Sequence, residues 1–242
     1  MIKILLTRPE DDSKDLQNKI NMIPLVSEIC PLIKIKKTLP SKIIGIQKFD
    51  LIIFTSKNAI RNFKNVFKHR GPVFTIGKST KNCAYDYGFK NVISAEGNSS
   101  SVIRLFDKKY GKKKLNILHP TTVNSNNELD KFFRFQGSQY KKYYVYQIIK
   151  KNIYPNLFQK FIKEEEGYIT IFSIVTAESF YEQIKNFELE NFCSEKTFIT
   201  ISTNIAEEIR KLKIKNVIVL KEPYEDNLIE KLKSLKKVNI LK

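Results

Sequence analysis

The chain has 242 residues, of which 42% are hydrophobic, and its formal net charge is +18. This length suits one large domain or two small ones, and the apolar content is enough to bury a core. No run approaches the roughly 18 consecutive apolar residues that cross a bilayer. The apolar residues 2–6 are too short for a signal peptide and are soon followed by Arg8 and Pro9. We therefore expect a cytoplasmic protein.

The cysteines and histidines argue against a disulfide framework and a metal centre. Cys30, Cys83 and Cys193 are far apart and form no C-x-x-C pair, so we expect reduced thiols. His69 and His119 are the only histidines, and neither lies in a nucleophile motif. We expect no metal site and no histidine-based triad.

The positive charge fits a nucleic acid, an anionic membrane surface or a polyanionic small molecule. Lysine, asparagine and isoleucine are frequent throughout, including loops such as residues 112–114, as an AT-rich coding sequence would produce. Compositional drift is therefore an alternative source of the charge. Because the lysines are spread over many loops without a recognition motif, we expect no nucleic-acid partner and no membrane partner.

Short β-rich runs alternate with helical patterns, which predicts an α/β fold with parallel sheets. The predicted strands are 2–6, 50–54, 73–76, 91–94, 115–118, 168–172, 198–201 and 216–220. The predicted helices are 11–20, 57–67, 78–87, 99–109, 125–136, 176–187, 203–213 and 225–236.

The chain repeats this order of elements. Residues 76–106 and 201–232 both read as a strand end, a helix, the tetrapeptide Lys-Asn-Val-Ile, an acidic turn and a second helix. FTSKNAIRNF at 54–63 and FSIVTAESF at 172–180 form an earlier pair, in which a serine follows the strand. Two lobes of one architecture are therefore predicted.

A third pair fixes how the lobes follow each other along the chain. NILHPT at 116–121 resembles ILLTRP at 4–9, and both predict a strand, a turn with proline and then a helix. This unit comes late in one lobe and at the chain start in the other, so the chain begins in one lobe, builds the second and returns. The predicted parts are a discontinuous lobe of residues 1–34 and 150–242, an inserted lobe of residues 37–143, and linker strands at about 31–36 and 143–149 that pair as a ribbon.

Short polar or cationic residues follow several predicted strands, where helices begin. In open parallel α/β sheets, ligands bind outside the carboxyl ends of the strands. A helix cap explains any one of these residues, but five such ends on two lobes favour a cleft that binds carboxylates or phosphates. The candidate binding residues are Thr7, Arg8, Thr55, Ser56, Lys57, Asn58, Gly77, Lys78, Ser79, Thr80, Ser173, Ser202, Thr203 and Asn204.

In order and spacing, six short segments resemble the uroporphyrinogen-III synthase family over nearly the whole chain. They are Thr7-Arg8-Pro9, PLI at 31–33, FTSKNAI at 54–60, TIGKST at 75–80, VYQ at 145–147 and ITIFS at 169–173. The resemblance implies two flavodoxin-like lobes with doubly wound parallel sheets, joined by a two-stranded β ribbon. This agrees with the insertion predicted from the repeats.

The resemblance also implies a lyase of porphyrin and haem biosynthesis that works as a monomer without a cofactor. Members of the family close the linear tetrapyrrole hydroxymethylbilane to uroporphyrinogen III, with inversion of ring D and loss of water. All the side chains of this substrate end in carboxylates, which gives the basic and hydroxyl-rich turns a purpose. The alternative is a non-catalytic two-lobed protein that binds a small polyanionic ligand.

By position, Tyr146 matches the family tyrosine on the second linker strand, which is proposed to protonate the departing hydroxyl. A phenol is protonated at neutral pH and can donate to a leaving oxygen. The alternative is that Tyr146 only packs in the hinge, and Tyr140, Tyr143 and Tyr144 lie close in sequence.

Two turns depart from the family pattern. Residues 202–205 replace a glycine-proline-threonine-threonine turn, so Ile205 stands where the family has a threonine. His119 and Pro120 replace an arginine-glycine pair that is common in bacterial members. A histidine there either contacts a substrate carboxylate or is structural.

Overall fold

The chain divides into unit 1, Met1–Lys34 with Ile149–Lys242, and unit 2, Ile35–Ile148. The structure, a computed structural model, describes residues 3–23, 25–38, 48–63, 69–151, 156–164, 166–194, 196–222 and 224–240. Residue 2 of the first predicted strand and residues 64–67 of the second predicted helix lie outside this description. In the described part of the chain, no helix is both long and apolar enough to span a bilayer.

Eleven strands and ten helices alternate along the described residues. The strands are β1 (Lys3–Leu6), β2 (Val26–Ile29), β3 (Ile33–Lys37), β4 (Leu51–Phe54), β5 (Val73–Ile76), β6 (Val92–Ala95), β7 (Asn116–Thr122), β8 (Gln139–Lys150), β9 (Gly167–Ile171), β10 (Thr197–Thr200) and β11 (Asn216–Val219). The helices are α1 (Glu10–Ile20), α2 (Lys57–Asn62), α3 (Gly77–Asp86), α4 (Ser99–Tyr110), α5 (Glu128–Phe135), α6 (Asn156–Glu164), α7 (Ile174–Asn186), α8 (Glu190–Cys193), α9 (Thr203–Arg210) and α10 (Glu225–Ile240).

The sheet of unit 1 has five strands in the order β11-β10-β9-β1-β2, and every neighbouring pair is parallel. Counted along the chain within this unit, the order is 2-1-3-4-5, the flavodoxin-like arrangement. Alternate residues of the strands bury opposite faces: Leu5 belongs to one apolar cluster, and Ile4 and Leu6 belong to another. Covering both faces is what an all-parallel sheet requires.

The sheet of unit 2 has the order β3-β8-β7-β4-β5-β6, with parallel pairs from β8 to β6. When β7 is counted as the first strand and β8 as the second, the order β8-β7-β4-β5-β6 becomes 2-1-3-4-5. Unit 2 therefore has the flavodoxin-like order in a circularly permuted form. Ile52 and Phe54 of β4 face one apolar cluster, and Leu51 and Ile53 face the other. The predicted fold class of two related α/β lobes is confirmed.

The predicted linkers form strands β3 and β8, which are neighbours in the sheet order. The Thr38 amide donates to the Val145 carbonyl (3.2 Å), and the Lys151 amide donates to the Leu32 carbonyl (2.9 Å). Because the residue number rises on one strand as it falls on the other, the two strands run antiparallel. The two-stranded ribbon of the predicted fold is therefore present.

The predicted turn with proline at residues 119–121 is wrong, since β7 continues through His119 and Pro120 to Thr122. The registered pairing of β7 with β4 ends at Leu118, whereas its pairing with β8 continues to the end of the strand. A residue without a backbone N–H is tolerated where a strand has lost one neighbour. The strand therefore extends four residues beyond the predicted end at residue 118 and includes Thr121 and Thr122.

Gly167, the first residue of β9, is closely packed against its neighbours in unit 1. A Cβ atom at Gly167 would meet the backbone carbonyl of Lys3 and lie 3.1 Å from the Phe161 ring. We expect Gly167→Ala to lower the free energy of unfolding by about 1–3 kcal/mol, the usual cost of overpacking. Glu166→Ala, at the exposed neighbour, is the matched control in urea denaturation. Equal stability of the two variants would contradict this packing.

Candidate active site

In unit 2, the end of β4 is shaped by a serine cap. Ser56 has extended backbone (φ −156°) and its Oγ accepts a hydrogen bond from the Asn58 amide (3.0 Å), which starts α2 directly after the strand. Such a cap contributes about 1 kcal/mol. Lys57 and Asn58 occupy the first turn and are half-buried. The serine therefore has a structural role that leaves its own hydroxyl proton available.

Tyr146 reaches the same place from β8. Its Oη lies 3.4 Å from Ser56 Oγ, and the residue is 5% exposed. A shift of register lies between Thr121, paired with Tyr144, and Thr122, paired with Tyr146. One extra residue on β8 thus turns Tyr146 to the face that Thr122 occupies, as β-bulges do.

The other tyrosines of β8 are distinguished by their surroundings. Tyr140 is buried, and its Oη lies 2.5 Å from His119 Nδ1. The Tyr143 ring packs edge-on against Phe63 at 6.3 Å, and Tyr144 is 43% exposed. Of the four, Tyr146 is the one whose hydroxyl lies at a strand-end serine.

His119 is 3% exposed, and its Nε2 lies 3.3 Å from Thr55 Oγ1. Burial, with a further contribution from the charge of Lys142, lowers the pKa of His119 to about 3. The imidazole is therefore neutral at physiological pH and does not pair as a cation with a substrate carboxylate. The structural alternative for this histidine fits its burial.

The helix that follows β5 begins without a side-chain cap, unlike the helices that follow β4, β9 and β10. Gly77 starts α3 with φ 74°, a conformation that favours glycine, and Ile76 at the cap position offers no hydrogen-bonding side chain. Lys78 and Ser79 are exposed in the first turn, and Thr80 is buried. The amides of this turn are available to an anion beside a cationic side chain.

In unit 1, serine caps begin the helices after β9 and β10. Ser173 Oγ accepts from the Thr176 amide (3.1 Å), and Ser202 Oγ accepts from the Ile205 amide (3.4 Å). The apolar side chain of Ile205 is buried in a core cluster, so the missing threonine hydroxyl is replaced by packing. Thr203 and Asn204 are exposed.

Thr7 and Arg8, at the end of β1, are engaged within unit 1. Thr7 is fully buried, and its hydroxyl donates to the Thr170 carbonyl (2.6 Å). Arg8 Nη1 lies 2.9 Å from Glu225 Oε1, and Nη2 lies 3.4 Å from Asp12 Oδ2. The charge that the sequence suggested for a ligand is already compensated by two carboxylates.

Each unit thus gathers part of the predicted set at one sheet edge. In unit 1 the ends of β1, β9 and β10 are neighbours, and in unit 2 those of β7, β4 and β5 are neighbours. Sequence reasoning missed Thr122, because the strand was expected to end at residue 118. Its buried Oγ1 has no hydrogen-bond partner among the described residues and adjoins Tyr146 in register.

Cys30, Cys83 and Cys193 are buried, and none of them forms a disulfide. Burial raises the pKa of the Cys30 thiol to about 11 and that of Cys193 to about 12. Thiols with raised pKa are poor nucleophiles at neutral pH. We therefore assign no nucleophilic role to Cys30 or Cys193.

Two flavodoxin-like units, one permuted and inserted into the chain of the other, define a two-lobed α/β protein with polar strand ends in each unit. The family model described as uroporphyrinogen-III synthase HemD matches residues 15–230. The chain therefore belongs to the uroporphyrinogen-III synthase family, the cyclising lyases of porphyrin biosynthesis.

Solved structures show the same fold. A uroporphyrinogen-III synthetase from Helicobacter pylori is 18% identical, with 97% of this chain and 100% of that chain covered and a TM-score of 0.64. A mutant uroporphyrinogen III synthase from the extremely thermophilic bacterium Thermus thermophilus is 11% identical, with 98% and 100% covered and a TM-score of 0.55. A search of curated proteins found no significant match.

The ion pairs of Arg8 predict a role in stability. Glu225 and Asp12 have side-chain exposures of 10% and 6%, so losing Arg8 removes a cation from two poorly solvated carboxylates, of which Glu225 keeps Lys19 (Nζ 2.7 Å from Oε2). We expect Arg8→Ala to lower the free energy of unfolding by about 1–3 kcal/mol.

Lys14→Ala is the matched control, because the Lys14–Glu10 pair is solvent-exposed and should contribute nothing measurable. Chemical denaturation at one salt concentration compares the two variants. If Arg8→Ala is as stable as Lys14→Ala, the guanidinium is not structural.

Proposed function

We propose that the chain converts hydroxymethylbilane to uroporphyrinogen III, with inversion of ring D and loss of water. The observation that carries the proposal is the family match over residues 15–230. The capped strand ends and the Tyr146–Ser56 contact add support from the residues themselves.

Catalysis of this reaction depends mainly on how the protein positions the two reacting ends of the substrate. Loss of the terminal hydroxyl of the substrate generates an electrophilic azafulvene, which the substituted carbon of the last ring attacks to give a spiro intermediate. That intermediate fragments and recloses with ring D inverted. Holding the reacting ends in this geometry can lower the barrier by several kcal/mol, on the order of 7–11 in favourable cases. The protein must make this attack faster than simple head-to-tail closure.

We assign proton donation to Tyr146. Its hydroxyl is 3.4 Å from Ser56 Oγ, a long contact that a departing hydroxyl of the substrate would replace with a shorter one. Ser56 Oγ already accepts from the Asn58 amide, so its own proton can be given to the same oxygen or to a carboxylate. Thr122, the register partner of Tyr146, supplies a further hydroxyl.

We assign carboxylate binding in unit 2 first to the uncapped turn of α3. The amides after Gly77 and the ammonium group of Lys78 attract the same negative charge, helped by the helix dipole. Thr55, Ser56, Lys57 and Asn58 lie at the adjacent strand end and complete the set.

In unit 1 the candidates are the half-buried capping serines and the two exposed residues at the start of α9. Ser202 caps α9, which begins with Thr203 and Asn204. Ser173 caps α7, which follows the neighbouring strand β9. Thr7 and Arg8 are assigned a supporting role, because their polar atoms are bonded within the unit. Carboxylate binding by unit 1 should therefore rely on hydroxyl and amide donors.

We further propose that the protein acts as a cytoplasmic monomer on this small molecule. The family supports this choice, and the spread of lysines gives no focused surface for nucleic acid. The alternative of a non-catalytic polyanion-binding protein would share every contact above and differ only in turnover.

The isomer of the product tests the proposal. Purified protein supplied with hydroxymethylbilane should yield predominantly uroporphyrinogen III, because uncatalysed closure gives the type-I ring. Heat-denatured protein is the control, and oxidised products are separated by chromatography. Type-I product alone, with ligand binding intact, would establish the non-catalytic alternative.

Removing the phenol hydroxyl tests the role of Tyr146. We expect Tyr146→Phe to lower kcat by on the order of 10²-fold, the lower range for general acid catalysis, with product affinity nearly unchanged. Tyr144→Phe, an exposed tyrosine two positions earlier on the same strand, is the matched control and should keep full turnover. Unchanged kcat in Tyr146→Phe would show that another donor protonates the leaving group.

A further inference from the structure

We propose that His119 is a positioning residue. As a neutral imidazole held by Tyr140, it orients the Thr55 hydroxyl to donate a hydrogen bond to an oxygen of the bound acid. This inference rests on the proposed function, since the acid is a carboxylate of hydroxymethylbilane. It assigns a role to two residues, His119 and Tyr140, that the reaction scheme above does not use.

The geometry is a buried chain of hydrogen bonds across three neighbouring strands. Tyr140 on β8, His119 on β7 and Thr55 at the end of β4 follow the sheet order β8-β7-β4. Tyr140 Oη lies 2.5 Å from His119 Nδ1, and His119 Nε2 lies 3.3 Å from Thr55 Oγ1. Tyr140 and His119 are 6% and 3% exposed, whereas Thr55 is half-buried at the sheet edge. The chain therefore leads from the core to the edge where the ligand is expected.

The positions of the protons follow from what each group can do. Burial raises the pKa of Tyr140 far above its ordinary value, so this hydroxyl keeps its proton. Within the described residues, His119 Nδ1 is the one acceptor recorded for Tyr140 Oη. Tyr140 therefore donates to Nδ1, and the neutral ring must carry its own proton on Nε2.

The consequence falls on Thr55. His119 Nε2–H donates to Thr55 Oγ1, so that one lone pair of the hydroxyl is occupied. The proton of Thr55 then has no recorded acceptor in the part of the chain that the structure describes, and it faces an incoming ligand as a donor. Ser56 is in the same state, since its Oγ accepts from the Asn58 amide and lies 3.4 Å from Tyr146 Oη. Two adjacent hydroxyls are thereby set to donate, which suits a carboxylate.

The alternative is that the chain of hydrogen bonds only holds β7 to its neighbours. That role would lower stability when it is broken, but it would not couple the effects of Tyr140 and Thr55 on substrate affinity. The two roles also differ in the tautomer they require, because a purely structural histidine could use either nitrogen as its donor. A tautomer measurement and a double-mutant cycle therefore separate them.

The first arm is long-range ¹H–¹⁵N NMR of the full-length protein with labelled histidine. The chain has two histidines, so His69→Gln assigns the signals. We expect His119 as the Nε2–H tautomer with no titration between about pH 5 and pH 8, unlike a solvated histidine. An Nδ1–H tautomer, or titration within that range, would overturn the proposal.

The second arm measures KM and kcat for Tyr140→Phe, Thr55→Val, the double variant and Thr55→Ser. Losing the ordered donor should raise KM about 3- to 10-fold in each of the first two variants, with kcat changed less. In the Thr55→Val background, Tyr140→Phe should add little, since both act through one hydroxyl. Thr55→Ser should restore most of the affinity. Full additivity of Tyr140→Phe and Thr55→Val would overturn the proposal.

The two arms also separate this inference from the proposed function. If the wild-type protein makes type-III product but the cycle is additive, the positioning role is wrong and the function stands. If it makes only type-I product, the role toward hydroxymethylbilane is overturned together with the function, while the NMR arm still judges the tautomer.

Discussion

Parallel strand pairing determines where the polar strand-end residues lie in each unit. It brings the carboxyl ends of the parallel strands of each unit to one edge of the sheet, where helices follow β1, β9 and β10 in unit 1 and β4, β5 and β7 in unit 2. Residues far apart in sequence meet at that edge because each follows its own strand: Thr7, Ser173 and Ser202 in unit 1, and Ser56, Gly77 and Thr122 in unit 2. The antiparallel ribbon of β3 and β8 is what allows one such sheet to be inserted into the chain of the other.

The strand-end side chains stabilise the fold and remain able to bind a ligand. The Ser56 hydroxyl accepts from the Asn58 amide and still has a proton to donate, so its cap and a carboxylate contact do not compete for the same atom. Arg8 is compensated by Glu225 and Asp12, and His119 is neutral. The proposed recognition of an acid then depends on ordered hydroxyls, on amides and on Lys57 and Lys78.

The sequence predicted the strands and helices that recur in both lobes, because an apolar run followed by a capping residue is a local signal. It did not reveal β2, whose Ser27 and Glu28 interrupt a short run on the outermost strand of its sheet, nor α6 and α8. Long-range partners were also invisible: Arg8 and Glu225 are 217 positions apart, and His119 meets Tyr140 only through the register of β7 with β8. The bulge that turns Tyr146 toward Ser56 likewise depends on strand pairing.

We infer that the carboxyl edge of each sheet binds an acidic tetrapyrrole. Amide hydrogen exchange with and without the product, under anaerobic conditions, tests this inference. We expect the product to slow exchange in the first turns of α2 and α3 in unit 2 and of α7 and α9 in unit 1. The turns at residues 87–91 and 211–215, which enter strands at the opposite edge, should be unchanged. Slowed exchange at those turns, with none at the helix starts, would contradict binding at the carboxyl edges.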